Sequence, residues 1–172
     1  MKKIKYILLA AISLDGKIAQ SKKQASNWTS LEDKKHLKNV LDKCDVCIIG
    51  NNTYKISQKA LAKRNCIVLT KKIKDIKVSN NNCAYINPQK LNVQKYIKQK
   101  QYSIICILGG TQVYNWALEN NFIDEMYLTI EPVIFGQGLS LIDLKLINPA
   151  KFKIFQVKKL NPAGSLLLKL VK

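Results

Sequence analysis

A carboxylate lies where an amphipathic helix is expected to be apolar. The segment NWTSLEDKKHLKNVL has helical periodicity, and Asp33 falls on the stripe that continues four and eight residues later with Leu37 and Leu41. Burying a carboxylate costs free energy unless it is paired. Asp33 is therefore the leading candidate for a residue that binds a ligand.

A capping role is the alternative for Asp33. Ser30 can be the N-cap residue with Asp33 three positions later, and acidic residues are favoured in a first turn. However, the sequence from Thr29 to Glu32 is an equally good capping box, which leaves Asp33 without a structural task. A ring with two adjacent N–H donors, such as a 2-amino-4-oxo pyrimidine, would satisfy both of its oxygens.

Glycine turns follow two of the apolar segments. CIIGNNTYK places Gly50 and Thr53 after one segment, and ILGGTQVYNWAL places Gly109, Gly110 and Thr111 after another. Glycine lets the backbone approach a phosphate, and the start of a helix supplies N–H donors and a positive dipole. Each turn alone is weak evidence, because glycine also serves plain tight turns. Two such turns together favour an anionic cofactor.

The only arginine of the chain is Arg64, at the start of RNCIVLT. A guanidinium grips a carboxylate or phosphate with two parallel hydrogen bonds, which lysine does not do. Chance is the alternative explanation. We therefore hold Arg64 as a candidate for binding an acidic group of the substrate.

The charge of the chain is strongly basic. The sequence of 172 residues has a formal net charge of +18 and 47% hydrophobic residues. Its lysines are dispersed along the chain, whereas a nucleic-acid binder concentrates basic residues, with arginine and exposed aromatics, on one face. We expect the charge to favour anionic small molecules, and we keep a basic nucleic-acid-binding module as a rival function.

The cysteines indicate neither a disulfide framework nor a metal site. There are five, an odd number, and most lie in apolar segments. Cys44 and Cys47 have the spacing of a redox motif, but we place Cys44 at a helix end and Cys47 in a strand. A cysteine redox protein is thus the weakest rival. The single histidine, His36, stands beside lysines and is predicted to be a surface residue, so no metal is expected.

The apolar start of the chain imitates a secretion signal. The apolar run in MKKIKYILLAAIS is short and continues directly into LDGKIA, so we interpret it as a first buried strand. No segment has the length of a membrane span. We expect a cytoplasmic protein.

The order of the predicted elements indicates an α/β fold. Strands are predicted at 4–12, 46–50, 65–70, 83–86 and 102–108, and helices at 31–43, 53–62, 89–100 and 111–120. Residues 124–134, 151–160 and 165–171 are predicted strands without helices between them, and NPAG joins the last two as a turn. Short, fully apolar strands are typical of a sheet buried on both faces. The topology is therefore parallel first and antiparallel at the end.

Six segments, in this order, resemble motifs of the dihydrofolate reductase superfamily, which includes the riboflavin-pathway reductase domain. They are YILLAAISLDGKIA, NWTSLEDKKHL, IIGNNTY, RNCIVLT, ILGGTQVY and YLTIEPVIFGQG. The resemblance covers nearly the whole chain. It implies a single domain over residues 1–172, with a mostly parallel sheet of about eight strands, an antiparallel C-terminal hairpin and about four helices.

The resemblance also assigns site residues. It implies catalytic roles for Asp33, Trp28 and Thr129. It implies substrate contacts for Ala10, Ala11, Leu37, Arg64 and Lys17. It implies contacts to NADPH for Ile18, Gly50, Thr53, Thr70, Lys71, Lys72, Gly109, Gly110, Thr111, Gln112, Val113 and Tyr114.

Two branches of the superfamily compete. SLDGKIA, with Lys17, and EPVIFGQG look more like the riboflavin-type reductases, but the Ala-Asp-Asp-Pro segment usual there is replaced by YKISQKALAK. Trp28, Asp33 and Arg64 together fit a dihydrofolate reductase better. The expectation is therefore hydride transfer from NADPH to a C=N bond of dihydrofolate, with a riboflavin-pathway aminopyrimidine reductase as the alternative, by a monomer or homodimer.

One departure concerns the cofactor. Many relatives have an arginine after the glycine of the first glycine turn, near the 2′-phosphate of NADPH, where this chain has Asn51 and Asn52. Lys71 and Lys72 follow IVLT and can supply that charge instead. NADPH is therefore expected rather than NADH.

Overall fold

Apolar segments and amphipathic helices alternate along the chain, and they become the strands and helices of an α/β sheet. The computed structural model describes residues 3–21, 24, 27–80, 82–145 and 149–172. Its helices are α1 (Leu31–Leu41), α2 (Asn51–Leu61), α3 (Val93–Gln99) and α4 (Thr111–Glu119). Its strands are β1 (Lys5–Ile12), β2 (Lys17–Ala19), β3 (Val46–Gly50), β4 (Cys66–Leu69), β5 (Ile76–Asn80), β6 (Cys83–Ile86), β7 (Ile104–Gly109), β8 (Glu125–Ile130), β9 (Leu139–Ser140), β10 (Lys153–Lys159) and β11 (Leu166–Val171).

The main sheet has the strand order β10-β11-β8-β1-β7-β3-β4-β6-β5. Strand β1 lies between β7 and β8 and is parallel to both, and β3, β4 and β6 continue the parallel part. Strand β11 runs antiparallel to β8 and β10, and β5 runs antiparallel to β6. The predicted mostly parallel sheet with an antiparallel C-terminal hairpin is confirmed. The turns after β1, β3 and β7 consequently meet at one edge of the sheet.

Both faces of the central strands are buried, which is why their sequences are continuously apolar. On one face, Leu8 and Ile107 pack in a cluster with Ala117 of α4. On the other face, Leu9 packs in a cluster with Leu61 of α2. Helices α3 and α4 thus cover one side of the sheet, and α1 and α2 cover the other.

The four helices begin in two different ways. Ser30 Oγ accepts a hydrogen bond from the Asp33 backbone N–H at 3.3 Å, and Asn92 Oδ1 accepts one from Lys95 at 2.9 Å, so α1 and α3 are capped. Helices α2 and α4 follow Gly50 and Gly110, and neither has a side-chain cap. Helices α2 and α4 both begin at the edge where the glycine turns meet. Their first-turn N–H groups and positive dipole ends are therefore available to a ligand.

Several element boundaries differ from the prediction. Helix α1 ends at Leu41 and not at 43, and α2 begins at Asn51, so Thr53 lies in its first turn. Helix α3 begins only at Val93, because Asn92 caps it.

Two pairings were not predicted at all. Strand β5 is a mostly exposed edge strand whose apolar alternation is limited to Ile76 and Val78, and the strands β2 and β9 of the small sheet have only three and two residues. Such short or polar strands leave no periodic signal in a sequence. The main sheet consequently has one strand more than the eight expected.

No helix in the described ranges is long and apolar enough to cross a membrane. Within the same ranges, no group of three or more His, Cys, Asp or Glu side chains is arranged to hold a metal ion.

Candidate active site

A cavity of about 460 Å³ opens at the carboxyl edge of β1, between α1 and α2. Strands β1, β3, β7 and β8 form its floor. Ten of the residues singled out in the sequence line it: Ala10, Ala11, Ile18, Trp28, Asp33, Leu37, Thr53, Gly110, Tyr114 and Thr129. The cavity thus unites residues that are far apart in the chain.

Asp33 is a buried carboxylate in the wall of this cavity. It is 8% exposed and lies in the first turn of α1, where only its backbone N–H serves the Ser30 cap. Glu32 does not complete a capping box, because its carboxylate instead accepts a hydrogen bond from Asn161 at 3.3 Å. Among the described residues, none donates a hydrogen bond to the Asp33 carboxylate. Its two oxygens are consequently available to a ligand with N–H donors.

Trp28 and Thr129 border the same cavity. The Trp28 indole packs edge-on against Phe135 at 4.9 Å between ring centroids. Its Nε1–H is buried and finds no acceptor among the described residues. Thr129, 2% exposed, lies on β8 and is paired in register with Ala11 of β1.

His36 is not the surface residue that the sequence predicted. One turn after Asp33, it turns toward the sheet and packs against the ring of Tyr127 at 5.0 Å, and both line the cavity. Burial lowers the pKa of His36 more than the nearby Asp33 raises it, and Lys158 and Lys43 lower it further. The neighbouring lysines misled the prediction, because they are exposed while His36 is half-buried.

Glu131 is a buried carboxylate that the sequence analysis missed. It is 4% exposed, and one of its oxygens accepts from both the backbone N–H and the hydroxyl of Ser30 at 2.8 Å. Its other oxygen accepts from the Ser165 hydroxyl. Glu131 thereby ties the start of α1, and with it Asp33, to the ends of β8 and β11. The sequence shows a glutamate directly after an apolar strand, but it does not show the distant partners of that glutamate.

We expect Glu131→Ala to lower the free energy of unfolding by about 3 kcal/mol, because it leaves three donors without their acceptor. Urea unfolding measures the change. Glu119→Ala, which removes an exposed carboxylate at the end of α4, is the matched control and should change stability by less than about 0.5 kcal/mol. Equal stability of the two variants would show that the hydrogen bonds of Glu131 to Ser30 and Ser165 do not stabilise the fold.

The Gly109–Gly110 turn is packed tightly under the cavity. Gly109 has φ +82°, and a Cβ atom there would lie 2.3 Å from Tyr114 Cζ. The Gly110 N–H donates to Thr53 Oγ1 at 3.0 Å, which joins the starts of α2 and α4. The Tyr114 hydroxyl donates to the Leu9 carbonyl at 2.7 Å. The peptide bond between the two glycines is cis.

The other predicted substrate and cofactor residues do not line the cavity. Thr111 donates from its hydroxyl to the Ser140 carbonyl at 2.6 Å, and Lys17 Nζ contacts Ser140 Oγ at 3.1 Å. Gly50 precedes α2, Thr70 follows β4, Lys71 and Lys72 are exposed beyond it, Gln112 is exposed on α4, and Val113 is buried beneath it.

Arg64 lies at the opposite end of the molecule from the cavity. It precedes β4, and its Nη2 forms an ion pair with Asp42 Oδ1 at 2.5 Å. Both residues border a smaller hollow of about 190 Å³ at the amino-terminal edge of the sheet. Arg64 is therefore not among the residues that line this cavity, because the length of β4 separates it from the edge where that strand ends.

One wall of the cavity was not predicted. Beside the predicted Thr53, helix α2 contributes Ile56, Ser57 and Ala60. These positions follow the i, i+3, i+4, i+7 spacing of one helix face, so the signal existed in YKISQKALAK. It was overlooked because the prediction sought polar motifs there.

The cysteines form a row across the sheet. Cys106, Cys47, Cys66 and Cys83 are register neighbours on four adjacent strands. Burial raises the pKa of Cys66 to about 12 and raises that of Cys106 well above its ordinary value. A hydrogen bond with the Cys106 thiol lowers the pKa of Cys44, which is only partly buried.

We expect one fast-reacting thiol in the folded protein, because alkylation proceeds through the thiolate. Alkylation at mildly alkaline pH is followed over time by the intact mass of the protein. The first adduct should form on Cys44 and should therefore be absent in Cys44→Ser. Cys83→Ser, at the buried end of the row, is the control and should keep the first adduct. Rapid addition of several adducts at once would contradict the assignment.

The sequence of this chain is similar to that of a known family and of a bacterial relative. The family model of the RibD C-terminal domain matches residues 5–164. The uncharacterized protein YwjB of Bacillus subtilis (strain 168) is 27% identical over 171 residues, which cover 94% of this chain and 95% of the relative.

Two solved structures are also similar. A pyrimidine reductase-like protein from Corynebacterium diphtheriae has a TM-score of 0.76 at 15% identity, covering 98% of this chain and 91% of that one. A diaminohydroxyphosphoribosylaminopyrimidine deaminase/5-amino-6-(5-phosphoribosylamino)uracil reductase from Thermotoga maritima has a TM-score of 0.74 at 19% identity, covering 98% of this chain and 56% of that one. At these identities the structures establish a shared fold.

Proposed function

This chain belongs to the RibD C-terminal domain family, and we propose that it is an NADPH-dependent oxidoreductase that reduces a pyrimidine-type substrate of the riboflavin pathway. The observation that carries the proposal is the single cavity that holds both the buried Asp33 and the Gly110 turn at the start of α4. The family assignment favours this aminopyrimidine reductase over the dihydrofolate reductase that the motifs first suggested.

The residues present fit a dinucleotide phosphate. Helices α2 and α4 both begin without a side-chain cap, after adjacent strands β3 and β7. Their N-termini attract the pyrophosphate, and glycine at position 110 keeps the backbone accessible to it. Lys71 and Lys72, exposed after β4, are the proposed partners of the 2′-phosphate.

The chain's own contribution to the reaction is orientation. NADPH, when bound, supplies the hydride. The Asp33 carboxylate accepts two N–H bonds from the substrate pyrimidine, one from a ring N–H and one from an adjacent exocyclic amine, and sets the angle of the ring in the cavity. Ala10, Ala11 and Leu37 give the ring apolar contacts and exclude water around Asp33, which strengthens the charge-assisted bonds.

The acidic group of the substrate needs a partner other than Arg64. Lys34 and Lys38 lie one helical turn apart on α1, line the cavity and are exposed at its rim. We assign them to the substrate phosphate. Lysine binds phosphate as a point charge, so this contact constrains the substrate less than an arginine fork would.

Dihydrofolate remains the second candidate substrate. The residues Trp28 and Asp33, which suggested a dihydrofolate reductase in the sequence, both line the cavity. In that reaction the same carboxylate orients a pterin ring, hydride goes to a C=N bond, and Lys34 and Lys38 meet the carboxylates of the substrate.

The test is NADPH oxidation by the purified protein with 5-amino-6-(5-phosphoribosylamino)uracil and, in parallel, with dihydrofolate. We expect turnover of the phosphorylated pyrimidine at least tenfold above that of dihydrofolate. The reverse preference would favour the second candidate. NADPH binding, followed by nicotinamide fluorescence, is measured separately. Failure to bind NADPH would refute the proposed function even if the fold is intact.

A further inference from the structure

A group of three thiols lies at the amino-terminal edge of the sheet. Cys44 follows α1, and Cys47 and Cys106 are register partners on the neighbouring strands β3 and β7. Cys44 packs against the buried cluster that contains the other two. The residues that line the cavity do not include these three cysteines. The group is therefore separate from the proposed reductase site.

Backbone hydrogen bonds hold Cys44 beside Cys106. The Asp45 N–H donates to the Ile104 carbonyl at 2.8 Å, and one Asp45 carboxylate oxygen accepts from the N–H groups of Ser103 and Ile104 at 2.7 and 2.8 Å. Ile104 and Cys106 are two residues apart on β7 and therefore face the same side of the sheet. Cys44 directly precedes Asp45, and its sulfur accepts a hydrogen bond from the Cys106 thiol.

The three thiols differ in their access to solvent. Cys44 is partly exposed, whereas Cys47 is 2% exposed and Cys106 is fully buried. Cys44 borders the hollow of about 190 Å³ at this edge of the sheet, together with the polar residues Lys63 and Asn65. A small molecule that enters the hollow therefore meets Cys44 as the accessible sulfur.

The surroundings of Cys44 favour its thiolate. The hydrogen bond from the Cys106 thiol lowers the pKa of Cys44, although partial burial opposes this shift. The charge of Asp45 also raises the pKa, whereas the charges of Arg64 and Lys5 lower it further. The thiolate is the form that reacts with oxidants. Arg64, which borders the same hollow, thereby has a task at this edge of the sheet.

We propose that Cys44 and Cys106 are a site of oxidative modification, at which a small hydroperoxide converts the two thiols into a disulfide. In the first step the Cys44 sulfur attacks one peroxide oxygen and the O–O bond breaks. The other oxygen takes up the thiol proton and leaves as water or an alcohol, and Cys44 becomes a sulfenic acid. In the second step the Cys106 sulfur attacks the Cys44 sulfur, the S–O bond breaks, and the hydroxyl group leaves with the Cys106 proton as water. Two thiols are oxidised, and one hydroperoxide is reduced.

Cys106 is the second thiol because it already contacts the Cys44 sulfur. Burial raises the pKa of Cys106 well above its ordinary value, which slows its attack, but reacting atoms that are held together need no encounter step. We therefore expect the second step to be the slower one, so that the sulfenic acid accumulates first. Cys47 has the spacing of a redox motif from Cys44, but its thiol hydrogen-bonds to Cys106.

The experiment treats the reduced full chain with hydrogen peroxide near neutral pH and follows its intact mass after the remaining thiols are alkylated. We expect an early product that dimedone, a reagent for sulfenic acids, labels on Cys44. A later product should have lost two hydrogens and should yield a linked peptide pair that contains Cys44 and Cys106 after proteolysis. Dithiothreitol should restore both thiols.

Three variants assign the two steps. Cys44→Ser should abolish both the dimedone label and the link. Cys106→Ala should abolish only the link and raise the yield of labelled Cys44, because the sulfenic acid is no longer consumed. Cys47→Ala is the matched control, since it removes the register partner of Cys106 and should keep the link. Circular dichroism checks the folding of each variant, and the peptide map of the wild type is decisive without them.

Four results would overturn the proposal. They are a link between Cys44 and Cys47, a link between two molecules, a first oxidation at another cysteine, and a sulfenic acid on Cys44 that never proceeds to the disulfide. The measurement uses neither NADPH nor a pyrimidine. Its outcome therefore does not depend on whether the proposed reductase activity is found.

Discussion

Replacing Asp33 with asparagine is expected to lower kcat about a thousandfold while leaving the fold intact, which is within the range for a group that assists proton transfer and orientation. Asparagine keeps the shape of the side chain. It also keeps the backbone N–H that donates to Ser30 Oγ. It removes the charge and turns one acceptor into a donor, so a ring with two N–H groups is held in the wrong hydrogen-bonding pattern.

The control is Glu32→Gln, which neutralises the adjacent carboxylate on α1. Glu32 contacts Asn161 and does not line the cavity. NADPH oxidation should stay within about twofold of the wild type in this variant, a tolerance typical of surface substitutions. NADPH binding should be unchanged in both variants. A kcat of Asp33→Asn close to that of Glu32→Gln would remove Asp33 from the mechanism.

The second large effect is expected for Gly109→Ala. An added Cβ would lie 2.3 Å from Tyr114 Cζ and 2.6 Å from its hydroxyl oxygen. Tyr114 is 4% exposed and its hydroxyl bonds to Leu9, so the ring has no room to withdraw. Overpacking and a positive φ together should cost about 3 kcal/mol or more. The shifted turn should also abolish measurable NADPH binding.

Gly136→Ala separates the cost of a positive φ from the cost of the clash with Tyr114. Gly136 has φ +70° but no atom within 4 Å of the added Cβ. Its cost should be about 1 kcal/mol, from backbone conformation alone. Thermal unfolding and nicotinamide fluorescence measure both variants. If both glycine variants lose the same stability and bind NADPH equally, the packing of the turn against Tyr114 contributes neither to stability nor to NADPH binding.

The sequence predicted the parallel sheet and the cavity floor well, because both depend on long apolar segments and on glycines that follow them. Asp33 was singled out because a carboxylate on an apolar helical stripe is conspicuous, and the structure places it, buried, in the cavity wall. His36 was placed wrongly because its sequence neighbours are lysines, and sequence adjacency does not show which face of a helix a side chain occupies.

Arg64 shows a different limit. Its substrate role was suggested by its residue type and by the resemblance, although the predicted strand at 65–70 already placed Arg64 before the strand, at the end opposite the glycine turns. Glu131 shows a third limit, because its partners Ser30 and Ser165 lie far away in the chain. Long-range pairing of this kind leaves no local pattern.

The central position of β1 has a consequence for synthesis of the protein. Strand β1 is made first, yet it lies between β7 and β8, which follow about one hundred residues later, so its loop closure is among the most costly in the fold. A nascent chain must therefore hold the apolar strand β1 unpaired until β7 and β8 have been made. The cavity, whose floor includes β1, β7 and β8, cannot exist in any earlier fragment. The cavity therefore forms only after β7 and β8 have been made.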